Sequence, residues 1–157
     1  MQNRMKNFAL DREAIDALLG RAAVGRFSTN SLDGYPYTVP VHFMYAGGKI
    51  YFHGLAAGDK VDNVRRDPRV CFEVDEMKGH IIEGVESPCS AETEYESVVV
   101  LGKASLLEDP AIKEKILKAI VAKYVPSLSD RPMKPAMIAA TGIVEITPER
   151  VTGKYHK

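Results

Sequence analysis

The feature that most constrains the fold is a succession of β-rich segments that does not alternate regularly with helices. Six segments have this character: residues 24–29, 35–45, 49–53, 69–75, 95–107 and 136–147. The pair Gly47-Gly48 is typical of a tight hairpin turn between the second segment and the third. Strands that do not alternate regularly with helices disfavour a parallel doubly wound sheet. Closing an antiparallel sheet protects the edges of this many strands, so the pattern predicts a small β-barrel.

Two or three helices are expected at the breaks between these segments. Asp11 is a suitable N-cap for a first helix, because apolar residues follow it at helical spacing. A short helical stretch over residues 60–66 should end before Pro68, since the residue preceding a proline is pushed out of the α region. Asp109 followed by Pro110 is typical of an N-cap with proline at the first helical position. We expect these helices to pack on the barrel.

Composition favours an ordinary globular protein. A length of 157 residues suits one domain over residues 1–157. The 21 basic residues balance the 21 acidic ones, so no global field should attract nucleic acid or an anionic membrane. Two cysteines, Cys71 and Cys89, are too few for a disulfide framework and have no zinc-site spacing. Residues 1–10 lack the apolar core of a signal peptide and no apolar run could span a membrane, so a cytoplasmic location is expected.

The segment over residues 51–60 carries the strongest chemical signal. A strand ends at His53, the glycines Gly54 and Gly58 follow, and Lys60 stands at the start of a helix. A lysine beside the free N–H groups of a helix N-terminus forms a site for an anion such as a phosphate. The same residues also fit an ordinary glycine-containing loop with a solvated lysine, which is the commoner case. The residues alone leave both interpretations open.

Two histidines are candidates for ligand contact. His53 could contact a ligand, transfer a proton or bind a metal, although a histidine at a strand end is more often simply hydrogen-bonded. No second ligand lies at metal spacing, so no metal is expected. His42 could face a pocket, whereas His80 and His156 look like loop and tail residues. Cys89 has no basic neighbour and is expected to be unreactive.

Polar positions on the strands could line a groove. Arg26, Ser28 and Thr29 lie on the first strand, and residues 39–41 lie on the second. Ser97 interrupts the entry to the apolar fifth segment. Each of these positions also fits an ordinary strand surface or edge, so the pattern alone supports only a barrel with a candidate anion site.

Seven segments in order resemble a known family. They are residues 24–29, 33–41, 50–53, 58–60, 67–73, 95–104 and 152–154, which together extend over nearly the whole chain. In this order they resemble the FMN-binding split barrels of the pyridoxamine-phosphate-oxidase-like superfamily. Within it they are most similar to the nitroimidazole-resistance group.

The resemblance implies a mainly β fold, namely a six-stranded antiparallel Greek-key split barrel with two or three helices. It also implies a homodimer with two FMN sites at the subunit interface. Lys60 would pair with the FMN phosphate, His53 would line the site as the catalytic residue, and Ser97 matches a position that contacts FMN in the oxidases. The other implied cofactor contacts, along the phosphate–ribityl region or the ring edge, are Arg26, Ser28, Thr29, Val39, Pro40 and Val41.

The implied activity is that of an FMN-dependent oxidoreductase, which passes electrons from a nicotinamide donor to a small electrophile such as a nitroaromatic. Glu96 departs from the family, in which a basic residue often precedes the serine that matches Ser97. A lower affinity for the FMN phosphate, or a different ligand, is therefore one expectation. The substrate-binding segment that true pyridoxamine phosphate oxidases carry after residues 152–154 is missing, so vitamin B6 oxidation is not expected. The alternatives are a non-catalytic barrel that holds FMN or haem, with His42 or His53 as axial ligand, and a deazaflavin-dependent reductase.

Overall fold

Seven antiparallel strands form one sheet in the computed structural model, which describes residues 8–157. The strands are β1 (Gly25–Asn30), β2 (Pro36–Val41), β3 (Phe43–Ala46), β4 (Lys49–Leu55), β5 (Arg69–Ile81), β6 (Glu92–Leu106) and β7 (Thr141–His156). Their order across the sheet is β2-β1-β5-β6-β7-β4-β3, and every neighbouring pair is antiparallel. The prediction of a mainly β, antiparallel architecture is confirmed.

The prediction of six strands is wrong, because the expected strand over residues 35–45 is interrupted at His42. Before the break β2 pairs with β1, and after it β3 pairs with β4. β2 and β3 are the two edge strands of the sheet, so the chain passes from one edge to the other within a single residue. The edges therefore meet at His42, as expected of a split barrel. An edge position also suits Pro36 and Pro40, because proline has no N–H to donate and an edge strand has a hydrogen-bonded neighbour on one side only.

Four α-helices, rather than the two or three predicted, accompany the sheet in the described residues: α1 (Arg12–Arg21), α2 (Asp59–Arg66), α3 (Pro110–Tyr124) and α4 (Pro135–Ala140). Short 3₁₀ turns occupy Pro88–Ser90 and Pro126–Leu128. Both predicted N-caps are confirmed. Asp11 accepts a hydrogen bond from the N–H of Ala14 at 2.8 Å, and Asp109 accepts one from the N–H of Ala111 at 2.8 Å.

The predicted last strand over residues 136–147 is wrong in its first half. Residues Pro135–Ala140 form α4, because proline suits the first helical position and alanine and methionine are good helix formers. β7 starts only at Thr141 and extends to His156, nine residues beyond the predicted end of the strand at residue 147. Pairing with β6, which is 15 residues long, holds this extension in the sheet.

The apolar core lies on one side of the sheet. Four phenylalanines are fully buried there: Phe27, Phe43, Phe52 and Phe72. Leu18 and Leu19 of α1 and Val64 of α2 belong to the same cluster, so both helices close the core. α3 packs against the opposite side of the sheet, where Ile116 and Ile120 contact Ile143 of β7. The outward side chains of β1, β5 and β6 therefore stay partly exposed, on the same side of the sheet as α3.

A few features bear on the cellular compartment. No helix within residues 8–157 is long and apolar enough to cross a membrane. The prediction that residues 1–10 contain no signal peptide concerns mainly residues 1–7, which lie outside the described residues. Both cysteines are free thiols; Cys71 is half-buried and Cys89 is exposed.

Candidate functional site

The N-terminus of α2 presents free backbone donors beside the end of β4. Gly58 precedes the helix with a φ of 109°, a left-handed conformation that suits glycine. Its carbonyl accepts hydrogen bonds from the N–H groups of Val61 (2.8 Å) and Asp62 (3.0 Å). Within residues 8–157, the N–H groups of Asp59 and Lys60 have no such partner, and no side chain caps them. The helix start therefore has the donors that an anion requires.

Lys60 adds a positive charge to this helix start. Its half-buried side chain lies against Gly54 of β4, where a Cβ would stand only 3.2 Å from the Lys60 Nζ atom. A larger residue at position 54 would displace the lysine. No carboxylate or carbonyl in the described part of the chain pairs with Nζ. The start of α2 thus carries two free N–H groups and a lysine without a partner in the described chain, the combination that the sequence predicts for a phosphate.

His42 lies in register with His53 at the end of the β3–β4 ladder, at the point where the two edges of the sheet meet. The His42 ring stacks on Tyr124 of α3, with ring centroids 4.5 Å apart and planes inclined by 17°. Part of the His53 ring is open to solvent, but the burial of the rest lowers its pKa, and repulsion from His42 lowers it further. A neutral imidazole carries one donor and one acceptor, so His53 is suited to proton transfer near neutral pH.

A second group of predicted residues lies on the outward side of the sheet. Ser28 Oγ is 2.9 Å from the hydroxyl of Thr38. The Arg26 guanidinium contacts Glu73 at 2.9 Å and also contacts Asp75, and these carboxylates raise its pKa. The remaining members of this outward group are Pro40, opposite Arg26 on β2, and Ser97, opposite Asp75 on β6. Arg26 is therefore already paired with two acidic side chains, whereas Ser28 and Ser97 lie half-exposed on the open side of the sheet.

Three of the predicted contact residues, Thr29, Val39 and Val41, point toward the apolar core instead. Thr29 is only 3% exposed, and its hydroxyl accepts a hydrogen bond from the buried amide of Asn63 at 3.0 Å. Val39 and Val41 pack against the main apolar cluster. A ligand on the outward side could contact these three residues only through their backbone. Asn63, which the sequence analysis does not single out, instead ties α2 to β1.

Glu96 lies on the face of β6 opposite to that of Ser97, because successive side chains of a strand alternate. Lys78 donates a hydrogen bond to it at 2.7 Å, and Arg21 of α1 donates another. These partners, Lys78 first, lower the pKa of Glu96 and neutralise its charge locally. The charge of Glu96 is thus balanced by its own partners, and the lower affinity expected from the missing basic residue stays a prediction. Within residues 8–157, no group of three or more His, Cys, Asp or Glu side chains is arranged to hold a metal ion.

Solved structures with the same fold come from several bacteria. A candidate 5-nitroimidazole antibiotic resistance protein from Bacteroides thetaiotaomicron is 25% identical, with a TM-score of 0.79 over 94% of this chain and 86% of that one. The flavocytochrome Anf3 from Azotobacter vinelandii is 24% identical, with a TM-score of 0.85 over 99% and 75%. The FAD and haem binding protein from Mycobacterium smegmatis is 18% identical, with a TM-score of 0.83 over 94% and 72%. The last two likenesses show the fold alone.

The family of the chain follows from a sequence match that spans the whole site. No curated protein matches the chain. A family model described as pyridoxamine 5'-phosphate oxidase matches residues 11–155, which include both the β4–α2 segment and the outward strands. The chain therefore belongs to the pyridoxamine 5'-phosphate oxidase family.

Proposed function

We propose that this protein binds FMN and works as a flavin-dependent oxidoreductase. The observation that carries the proposal is the start of α2, where Lys60, whose ammonium group has no partner in the described chain, follows two free N–H groups in the first helical turn. A flavin phosphate matches this site in charge and in hydrogen-bonding capacity. FAD contains the same ribityl phosphate, so the FAD-binding relative is compatible with such a site.

We propose a role for each of the other predicted residues from its position. His53, at the end of β4, would contact the acceptor and transfer a proton. Ser28 and Ser97 would contact the cofactor from the outward side of the sheet. Arg26 would contact it there only while it stays paired with the carboxylates of Glu73 and Asp75. Thr29, Val39 and Val41 would contribute backbone contacts, next to Pro40. When bound, the flavin supplies the hydride chemistry, and the protein supplies position and electrostatics.

We also propose that the protein is a homodimer with its flavin sites between subunits. The partly exposed outward side of β1, β5 and β6 is the surface that supports this part of the proposal. Light scattering on the purified protein is expected to give twice the mass of one chain. A monomer that still retains flavin would refute the interfacial site.

The reaction we propose is the reduction of a small electrophile, such as a nitroaromatic, by a nicotinamide. Its support is the 25% identity to a candidate 5-nitroimidazole resistance protein. Flavin-loaded protein is expected to oxidise NADH or NADPH much faster when a nitroaromatic is present. If NADH and NADPH are each oxidised at the same rate with and without the acceptor, the protein is a flavin carrier rather than a reductase.

Replacing His53 with glutamine is expected to lower acceptor turnover by roughly 100-fold, because a positioned general acid contributes at least that factor. Flavin content should stay unchanged, since the phosphate site is formed by α2. The control is His80→Gln, which removes a histidine of β5 that is distant in sequence from the site. Full activity of the His53 variant would mean that the acceptor receives its proton elsewhere.

Replacing Glu96 with glutamine is expected to leave flavin affinity within about twofold of the original value, because its charge is neutralised by Lys78 and Arg21 and solvent screens what remains. Fluorescence titration with FMN measures this affinity. A variant that binds FMN more than tenfold tighter would show that the Glu96 charge opposes the phosphate after all.

A second candidate function is haem binding, alone or together with flavin. It is favoured by the likeness to a flavocytochrome and to an FAD and haem binding protein, and by two adjacent histidines, His42 and His53. A Soret band in the purified protein that is lost on replacing either histidine would support it. A deazaflavin-dependent reductase is the third possibility, which a colourless protein that reduces its acceptor only with that cofactor would favour.

A further inference from the structure

The break between β2 and β3 brings two histidines together from opposite edges of the sheet. Phe43 pairs with Phe52, so His42 lies one residue beyond the end of this ladder, on the side of His53. A continuous strand through residues 35–45 would not produce this neighbourhood. The opposite positions of the two histidines are therefore a consequence of the strand exchange itself.

Tyr124 fixes the position of His42. Its ring stacks on the imidazole, and its hydroxyl accepts a hydrogen bond from the N–H of Phe43 at 2.9 Å. The same hydroxyl lies 2.8 Å from the carbonyl oxygen of Phe43 and 2.9 Å from that of Ala23, and donates to one of them. Tyr124 is the last residue of α3, so hydrogen bonds of its hydroxyl link the end of this helix to the strand break at Phe43 and to Ala23, which precedes β1.

We propose that His42 is the positioning partner of His53 and that the two imidazoles act as a pair that holds one proton for delivery to the acceptor. This inference rests on the reductase function proposed above and names a further residue of the same site. A shallow recess of about 260 Å³, lined by Val24, Pro40, Val41 and His42, gives a small molecule access to His42.

Charge repulsion disfavours a second proton on the pair. Burial is the main cause that lowers the pKa of His53, and the charge of His42 lowers it further. Other titratable side chains on the surrounding elements are Tyr51 of β4, Lys60 of α2, Lys123 and Tyr124 of α3, and Glu145 of β7. Lys123 donates a hydrogen bond to the carbonyl of Ala22, and Glu145 accepts one from Lys49. Among the described residues, His42 is the one whose charge adds to burial in lowering the pKa of His53.

One proton is the number that the proposed chemistry needs. Reduction of a nitro group to a nitroso group consumes one hydride, which the nicotinamide supplies, and one proton. One N–O bond breaks, and its oxygen leaves as water. The pair supplies the proton as an imidazolium N–H bond breaks, and the neutral imidazole that remains is reprotonated from solvent.

The test combines an NMR titration with kinetics on the full-length protein. In His42→Gln the His53 ring is expected to titrate at a higher pH than in the original protein, because the repulsion is gone. His42→Phe, which can keep the stack on Tyr124 without a titratable group, is expected to give the same result. The control His80→Gln should leave the titration of His53 unchanged. An unshifted titration of His53 in both His42 variants would overturn the pairing.

The kinetic arm tests proton delivery. With flavin content unchanged, His42→Gln is expected to lower kcat for a nitroaromatic by about tenfold, a part of the factor that a general acid contributes. An unchanged kcat would overturn the role of His42 in delivery. The two arms also separate this inference from the proposed function: a protein without flavin or reductase activity refutes the function, while the NMR titration still decides whether the histidines are paired.

Discussion

Replacing Lys60 with alanine is expected to weaken FMN binding by roughly 10- to 150-fold, because a hydrogen bond to a charged group is worth about 1.5–3 kcal/mol. Lys60 is the cationic side chain in the first turn of α2, where the N–H groups of Asp59 and Lys60 are free of partners in the described chain. Those N–H groups stay in the variant, so binding should be weakened rather than abolished. Fluorescence titration of flavin-free protein measures the change.

Two controls separate a specific contact from a general loss of positive charge. Lys115→Ala removes an exposed lysine from α3 and should leave FMN affinity unchanged. Lys60→Arg keeps the charge but must place a larger head group beside Gly54, so partial retention of affinity is expected. If Lys60→Ala binds FMN as tightly as the Lys115 control, the phosphate does not bind at the start of α2.

Replacing Gly102 with alanine is expected to lower the free energy of unfolding by about 3 kcal/mol, at the upper end of the usual penalty for overpacking. A Cβ at this position would stand 2.3 Å from the carbonyl oxygen of Thr147 and 3.0 Å from the Cα atom of Pro148. Both are backbone atoms of β7, which cannot turn aside as a side chain can. The pairing of β6 with β7 also shifts register between Leu101 and Gly102, so the close approach belongs to a bulge.

Gly20→Ala is the matched control, because nothing lies within 4 Å of a Cβ at that helical position. It should raise the free energy of unfolding by up to about 1 kcal/mol, since alanine is the better helix former. Urea unfolding of the two variants and the original protein measures both values. Equal stability of the Gly102 and Gly20 variants would contradict the close packing of β6 on β7.

Local signals account for the parts of the fold that the sequence predicts correctly. Asp11 and Asp109 cap helices because their short side chains reach the first free N–H groups, and this interaction depends only on neighbouring residues. The Gly47-Gly48 turn has positive φ at both positions, which explains the hairpin between β3 and β4. Such features need no knowledge of distant partners.

The wrong predictions concern segments whose structure is determined by residues distant in sequence. The strand-like pattern continues through His42, so nothing local shows that the chain leaves one edge of the sheet for the other. Residues 136–140 combine alanine, methionine and isoleucine, a short apolar run that fits a helix or a strand equally well. The length of β7 depends on how far β6 extends beside it. Each of these outcomes is set by tertiary pairing.

The residues of the candidate site likewise divide into those that a local segment predicts and those whose contacts come from distant parts of the chain. Lys60 and His53 are predicted from a single short segment, and the structure places them on adjacent elements around the β4–α2 turn. The inward direction of Thr29 has a signal that the sequence analysis does not use, because Phe27 lies two residues earlier on the same face. Tyr124 and Asn63 have no comparable signal, since their contacts with His42 and Thr29 come from helices that are distant in sequence.

The central claim is that this chain holds FMN at the Lys60 site, and an absorption spectrum of the purified protein, followed by identification of the released cofactor, tests it most directly. The account predicts the two bands of an oxidised flavin, release of FMN on denaturation, and loss of most of this flavin in Lys60→Ala. Protein that shows a Soret band alone, or that stays colourless and fails to bind added FMN, would contradict it.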